Sequence, residues 1–296
     1  MDKLTFQKIA EERNQDHSTR KDLYEKIEAK LGKPVVAFFT SFVYPVSIES
    51  SDEDMIEAVF QKINLSKGLI LLLNSPGGDA LAAEGIINIC RTYSGTKGYE
   101  VIVPNKAKSA ATMICLGADK IIMSPTSELD SVDPQRVERE ENKTRWFSIF
   151  NLIRSYEKLF KEAITTQGRL EPFMQQLSFY DPREIEELKA VLSLSEDITI
   201  KALKTRMFEG FTEEQIKEKI KKFLIPEESV KIHGRAIYAD DVKKCGLNVD
   251  ILDPKDEIWC IIYELYTRLN GFVSFQNIVK CVESKEYSFH ASALLK

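Results

Sequence analysis

Histidine is scarce in this chain: His17, His233 and His290 are the full set. A catalytic scheme that needs an imidazole has few residues to draw on. Cysteine is limited to Cys90, Cys115, Cys245, Cys260 and Cys281. Their number is odd, their spacing is wide and no Cys-x-x-Cys pair occurs, which argues against a zinc knuckle or a dithiol redox motif. Reduced thiols and no metal site are the expectation. There is no basic excess, since 41 Lys and Arg stand against 46 Asp and Glu for a net charge of −5. Nothing therefore points to a nucleic-acid partner. Long apolar runs are missing too. The longest, Val35 to Ile48, is interrupted by Thr40, Ser41 and Pro45 and is too short to cross a bilayer. The first residues, Met-Asp-Lys-Leu-Thr-Phe-Gln-Lys, lack the apolar core of a signal peptide. These absences lead to the expectation of a soluble, cytoplasmic chain with no integral membrane segment. A Gly-x-x-x-x-Gly-Lys-Ser/Thr phosphate loop is also absent, so any ATP-driven unfoldase would be a separate chain.

What is present is a globular composition, with 43% hydrophobic and 29% charged residues over 296 positions. That length can bury a sizeable core. Leu23, Tyr24, Ile27 and Leu31 have helical spacing, and the helix is expected to stop near Gly32 and Lys33-Pro34. Val35 to Phe39 and Leu69 to Leu73 are continuous apolar runs rich in β-branched, aromatic or aliphatic residues, and they read as buried strands. Between them a helix is expected over 53–64, capped by Ser51 or Asp52. A helix over 80–92, a strand over 100–103, a short helix over 109–117 and a strand over 120–123 complete a strand–helix alternation. Its physical outcome is an α/β fold with a mainly parallel sheet and right-handed crossovers. After Pro134 the pattern changes to amphipathic helices, expected at 144–167, 183–193, 196–208 and 212–223. Residues 234–252 read as strand, helix, strand, and 253–296 as one helix, 257–269, plus a tail. The tail carries Phe272, Phe275, Tyr287 and Phe289, suited to docking on the body or on a neighbour. The run Lys217 to Lys222 reads as the solvated face of a helix. The expected organisation is an N-terminal helical segment (1–33), a main domain (34–252) with a helical arm at about 144–223, and a C-terminal helix and tail (253–296).

Two segments carry chemistry. Asn74-Ser75-Pro76-Gly77-Gly78-Asp79 lies after a buried strand and before a helix. Paired glycines permit positive φ and close backbone approach, and N–H groups opening a helix form an anion site. The same residues also suit an ordinary tight turn. Lys108-Ser109-Ala110-Ala111-Thr112 lies past the next strand. Ser109 suits a nucleophile on a turn, with the following N–H facing a developing oxyanion, and equally suits a plain helix N-cap. Two consecutive crossovers put both turns at the C-terminal ends of parallel strands, where open α/β sheets build their sites. One turn brings N–H donors and the other a hydroxyl, the minimum for acyl transfer.

These segments carry a family resemblance. Ser75-Pro76-Gly77-Gly78 is similar to the Ser-Pro-Gly-Gly motif of Clp-type peptidases and signal peptide peptidase A. Ser109-Ala110-Ala111-Thr112, followed by Gly117-Ala118-Asp119-Lys120-Ile121, resembles the nucleophile segment of the latter. Ser127 to Gln135, ending Asp133-Pro134-Gln135, resembles the corresponding segment of the serine dehydrogenase proteinase family, a soluble branch of the same clan. The resemblance spans roughly residues 20 to 270. It implies a Clp/crotonase fold built of ββα units, peptide-bond hydrolysis without metal or cofactor, a peptide or protein substrate, and homo-oligomerisation through the arm. Carried over residue by residue, Ser109 is the nucleophile, and the Gly78 and Ala110 N–H groups hold the oxyanion. Gly77 and Asp133 are candidate substrate contacts, with Asp133 also suited to orienting a base or fixing the Pro134 turn.

The base is open at this point. Clp-type peptidases place a His about 25 residues after the serine, where this chain has Asp133-Pro134, and no His lies between Ser109 and His233. Relatives of signal peptide peptidase A use a lysine. Lys158, with Leu152, Tyr156 and Leu159 nearby in helical spacing, is the lysine candidate, with Lys161 behind it. A lysine base needs a lowered pKa, which burial or a cationic neighbour supplies. His233, ahead of Ala239-Asp240-Asp241-Val242 and Gly246-Leu247, is the rival. Two departures stand out. Ala110-Ala111 replaces the relatives' Gly-Gly, and Asp130-Ser131 replaces their Gly-Pro. Two other expectations stay in play: a crotonase-like acyl-thioester enzyme, because the same oxyanion hole serves both chemistries, and a catalytically silent oligomeric scaffold, because the standard His is missing and the glycines are altered.

Overall fold

The computed structural model describes residues 4–12, 16–140, 143–224, 235–274 and 277–293. Helices α1 (Thr5–Glu11) and α2 (Lys21–Leu31) precede strand β1 (Val35–Thr40). Then come α3 (Ser51–Phe60), β2 (Leu69–Asn74), α4 (Ala80–Ser94), β3 (Tyr99–Val103), β4 (Lys106–Ala107), α5 (Ala110–Leu116), β5 (Lys120–Met123) and β6 (Glu128–Leu129). A hairpin of β7 (Gln135–Glu140) and β8 (Lys143–Ser148) leads into α6 (Ile149–Thr165), α7 (Glu171–Leu177) and α8 (Pro182–Lys204). The rest is α9 (Glu213–Lys219), α10 (Lys221–Leu224), β9 (Ile237–Tyr238), α11 (Ala239–Lys244), β10 (Val249–Ile251), α12 (Glu257–Phe272), β11 (Ile278–Ser284) and β12 (Ser288–Ser292).

The main sheet runs β10-β5-β3-β2-β1-β11-β12. Its strands are parallel from β10 to β1, while β11 and β12 add antiparallel. This is the α/β, mainly parallel architecture that the alternating pattern implies. The sheet is covered on both faces, which is why β1 and β2 are buried along their whole length. Alternate residues feed different cores. Val36, Phe38, Leu69, Leu71 and Leu73 pack with α3, α4 and α5. Val35, Ala37, Phe39, Ile70 and Leu72 pack with α2 and α12. A second, three-stranded sheet, β4-β6-β9, stands beside the C-terminal ends of the parallel strands.

Three expectations need correction. The helix expected from 144 begins at Ile149, with Ser148 Oγ accepting the Asn151 N–H at 3.1 Å, because residues 143–148 pair with β7. The helices expected at 183–193 and 196–208 are one, α8. Ser195 stays helical, its hydroxyl donating to the Val191 carbonyl at 3.2 Å. Finally, 278–292 is no tail: β11 is wholly buried and pairs antiparallel with β1. Of the four aromatics, Phe272 packs edge-on against His290, Tyr287 and Phe289 are half exposed, and Phe275 lies outside the described residues. Lys217 and Lys222 bear out a solvated, salt-bridged face, pairing with Glu196 and Asp241. Among the described residues no helix is long and apolar enough to cross a membrane.

A buried charge pair fixes α2 to β11. The Arg20 guanidinium donates to Glu283 at 2.7 and 2.6 Å, and the Tyr24 hydroxyl reaches the same carboxylate at 3.2 Å. Arg20 also lies over the Phe272 ring, 4.7 Å from its centre. Removing one member leaves the other charged and dry, so Arg20→Met is expected to cost about 3–5 kcal/mol. Urea denaturation measures this; a cost below about 1 kcal/mol would mean the pair is not what secures α2.

Candidate active site

The two loops expected to meet do so through their backbones. Past β2, the Ser75 N–H donates to the Lys106 carbonyl at 3.1 Å, and the Lys108 N–H donates to the Ser75 carbonyl at 3.0 Å. The Asn74 side-chain oxygen adds a bond from the Lys106 N–H at 3.1 Å. Buried Ser75 then folds the turn, its hydroxyl accepting the Gly77 N–H at 3.1 Å. On the other side the turn pairs with Ile48. The Ile48 N–H donates to the Gly77 carbonyl at 2.8 Å, and the Asp79 N–H donates to the Ile48 carbonyl at 2.9 Å. Gly78 sits between those two bonds, so strand geometry turns its own N–H away from Ile48. No acceptor among the described residues takes that N–H. Asp79 ends the turn as the N-cap of α4, accepting the Leu81 and Ala82 N–H groups at 2.7 and 3.0 Å.

Both glycines are required by space. A Cβ on Gly77, whose φ is +95°, would lie 2.3 Å from the Lys108 carbonyl oxygen and 2.9 Å from Ser109 Cβ. A Cβ on Gly78 would lie 2.2 Å from the Ile48 oxygen. The turn is thus wedged between Ile48 and the Lys108-Ser109 backbone.

Ser109 itself sits at φ 49° and ψ −118°, a conformation that L residues other than glycine avoid. Ser109 is half-buried, while Ala107 before it and Ala110 after it are buried. The strain lets the chain turn from β4 into α5 while the serine stays at the surface, as in a nucleophile elbow. All seven residues of α5 are buried, beginning with the small Ala110 and Ala111. The Ala111 N–H donates to the Lys108 carbonyl at 2.9 Å, and the Ala110 N–H, like that of Gly78, has no acceptor among the described residues. The Thr112 hydroxyl ties α5 down, donating to the Ala107 carbonyl at 2.8 Å and accepting the Asp130 N–H at 3.2 Å.

The surrounding charges are paired. Lys108 reaches Glu128 at 3.2 Å and Asp130 at 3.7 Å. Burial and the like charges of Asp54 and Asp79 raise the Glu53 carboxyl above its ordinary range. The buried Cys115 thiol is pushed well up by desolvation, which keeps it unreactive. A cavity of about 460 Å³ beside Gly32, Lys33, Asn64 and Lys285 opens at the N-terminal ends of the strands, the opposite end of the sheet from Ser109.

Ser109, Ala110, Gly77 and Gly78 are therefore brought together. The Gly77 N–H and carbonyl are both taken within the protein. Asp133 is buried, and its Oδ1 accepts the Phe150 N–H at 3.2 Å, which fixes the turn into α6. Lys158 is not drawn into the site: its side chain is 74% exposed and its amine reaches Glu162, one turn along α6, at 3.7 Å. The dry setting that a lysine base requires is absent around it. His233 lies outside the described residues. No described side chain hydrogen-bonds to the Ser109 hydroxyl. Sequence reasoning missed Ile48, which ends the interrupted apolar run from Val35 and carries no signal of its own.

Residues 4–143 match the family described as ClpP-like SDH-type serine proteinase. The resemblance read from the motifs is to the same group. Two uncharacterized proteins of Methanocaldococcus jannaschii are also similar. MJ0137 is 28% identical over 246 residues, covering 82% of this chain and 72% of its own length. MJ1495 is 33% identical over 108 residues, covering 36% of this chain and 32% of its own length. Among solved structures, a serine-to-alanine mutant of the 1510-N membrane-bound stomatin-specific protease aligns over 71% of this chain and 94% of its own, at 15% identity and a TM-score of 0.30. So low a score carries no weight for the site.

The wedge geometry makes a prediction independent of activity. Gly77→Ala forces both a strained φ and a backbone clash, and should destabilise the fold by about 1–3 kcal/mol or more. Thermal or urea unfolding checks this; unchanged stability would mean the turn does not approach Lys108 so closely.

Proposed function

We propose that this chain is a serine peptidase in which Ser109 attacks the carbonyl of a peptide bond. The observation that carries this reading is the left-handed backbone of Ser109 beside the Gly77-Gly78 turn. A strained serine at the end of a strand, next to two N–H groups without protein acceptors, is the arrangement acyl transfer needs. The Gly78 and Ala110 N–H groups hold the oxyanion of the tetrahedral intermediate. The Ser109 oxygen bonds to the carbonyl carbon, the leaving amine departs with a proton, and water then hydrolyses the acyl-enzyme. The match of residues 4–143 to serine proteinases supports the same chemistry.

For the base we favour His233 over Lys158. The Lys158 side chain is exposed and paired with Glu162 along its own helix. The support for His233 is topological. β6 runs parallel to β4 and antiparallel to β9, with Leu129 level with both Ala107 and Ile237. Arg235 and Ala236 therefore precede β9 at the end of the small sheet where β4 leads into Ser109, and His233 comes two residues before them in sequence. In this reading the His233 imidazole takes the serine proton and returns it to the leaving amine.

A fluorophosphonate probe tests the nucleophile and the base together. Labelling is expected at Ser109 and lost in Ser109→Ala. His233→Ala should slow labelling by about 10²–10⁴-fold, and Lys158→Ala should leave it within about twofold. Labelling that survives Ser109→Ala would remove the reading, and a Lys158 effect larger than that of His233 would move the base to the arm.

We further propose that the arm, α6 to α8, is the homo-oligomer contact. Phe160, Ile164, Met174 and Phe179 are exposed there, at 48%, 69%, 62% and 82%. Sedimentation at micromolar concentration should give a species larger than the monomer, and a clean monomer would count against it.

A further inference from the structure

Ile48 holds the glycine turn, but nothing in the loop that carries it, residues 41–47, belongs to a helix or strand. What fixes that loop comes from β11, far along the chain. The Lys280 side chain is 4% exposed, and its ammonium lies 2.8 Å from Glu49 Oε1 and 2.9 Å from Asp52 Oδ2. Asp52 is fully buried, and the same Oδ2 accepts the Glu49 N–H at 2.9 Å. One ammonium thus gathers both carboxylates at the start of α3 and pins the residue directly after Ile48. The other end of the loop is held by the preceding residue of the same strand, with the Ser41 N–H donating to the Val279 carbonyl at 2.8 Å. Thr40 and Lys280 are direct partners in the ladder. Two consecutive residues of β11 therefore grip both ends of the loop that leads into Ile48, the residue that pairs with Gly77 and Asp79.

Taking a lysine out of water is unfavourable, and such ion pairs do little for stability beyond what an apolar residue would give. Here the partners lie within four residues of Ile48. The cation acts where the loop meets the glycine turn, and the aim of the Gly78 N–H depends on that turn.

We propose that Lys280 is a positioning residue for the oxyanion loop: through Asp52 and Glu49 it fixes Ile48, and through Ile48 it sets the direction of the Gly78 N–H. This rests on the reading of Gly78 as an oxyanion donor, although the mechanical link does not. Lys280 also lies outside the residues matched by the family, 4–143, so the turn is completed by a part of the chain that the match does not reach.

The test compares the wild type with Lys280→Met by hydrogen–deuterium exchange and by peptidase kinetics. Should Lys280→Met fail to fold, Lys280→Met with Asp52→Asn removes the unpaired buried charge, keeps an acceptor for the Glu49 N–H and still lacks the ammonium. Exchange in peptides covering 45–50 and 76–82 is expected to quicken by about tenfold or more, with β2 and β3 unchanged. The kcat should fall by about tenfold or more with KM within about twofold, as for a misaimed donor. Lys280→Arg, which keeps the charge, should recover both. Unchanged exchange in those two peptides in a folded variant overturns the proposal. So does a loss that appears in KM alone. A wild type with no serine reactivity defeats the peptidase reading instead, and the exchange data still decide whether Lys280 holds the turn.

Discussion

The bonds that join Ser75 to the Lys106–Lys108 backbone are the constraint on which the site depends. They are main-chain bonds between two loops that would otherwise be independent. By fixing the spacing, they bring the glycine turn against Ser109 and leave no room for a Cβ between them. Everything specific about the site follows. The residue at 77 must be glycine, the residues after the serine must be small, and the serine must take a conformation that its neighbours impose. Strain of about 1–3 kcal/mol at one residue survives only where the surrounding bonds over-determine it. Ser109 meets that condition, with Lys108 held by Ser75 before it and Ala111 held by Lys108 after it.

Much of this was legible because the residues concerned are punctuation. Pro76-Gly77-Gly78 can hardly be anything but a turn, and continuous apolar runs such as Val35 to Phe39 can hardly be anything but strands covered on both faces. The β11–β12 hairpin was not legible, for a definite reason. β11 is Ile-Val-Lys-Cys-Val-Glu-Ser, wholly buried, yet Lys280, Glu283 and Ser284 interrupt its apolar pattern. Their burial makes sense only with Arg20, Glu49 and Asp52 in view, residues more than 200 positions away. Polar residues that bury by pairing at long range leave no local periodicity. The helix around Lys158 differs in the opposite direction. The apolar neighbours of that lysine in helical spacing suggested a dry setting, but α6 buries only Ile149 and Ile153 of its stripe.

The buried charges divide into two groups with different jobs. Arg20, Tyr24 and Glu283 close the face of the sheet that carries α2 and α12, away from the chemistry. Lys280, Asp52 and Glu49 lie at the C-terminal ends of the strands, on the side of the Ser109 loop and the glycine turn. Both groups hang from β11. A single antiparallel strand thus serves as the common anchor for the N-terminal helix and for the loop behind the glycine turn.

That shared anchor sets an order of events during synthesis. β1 has parallel β2 on one side soon after it emerges, but its other edge stays open until residues 278–284 have been made. Throughout that interval a strand apolar from Val35 to Phe39 presents unpaired N–H and carbonyl groups, the kind of edge that recruits stray strands. The nascent chain therefore passes through a stage in which Ser109 and the glycine turn already exist but the sheet behind them is unsealed. A cell making this protein must carry it across that stage before any of the chemistry can begin.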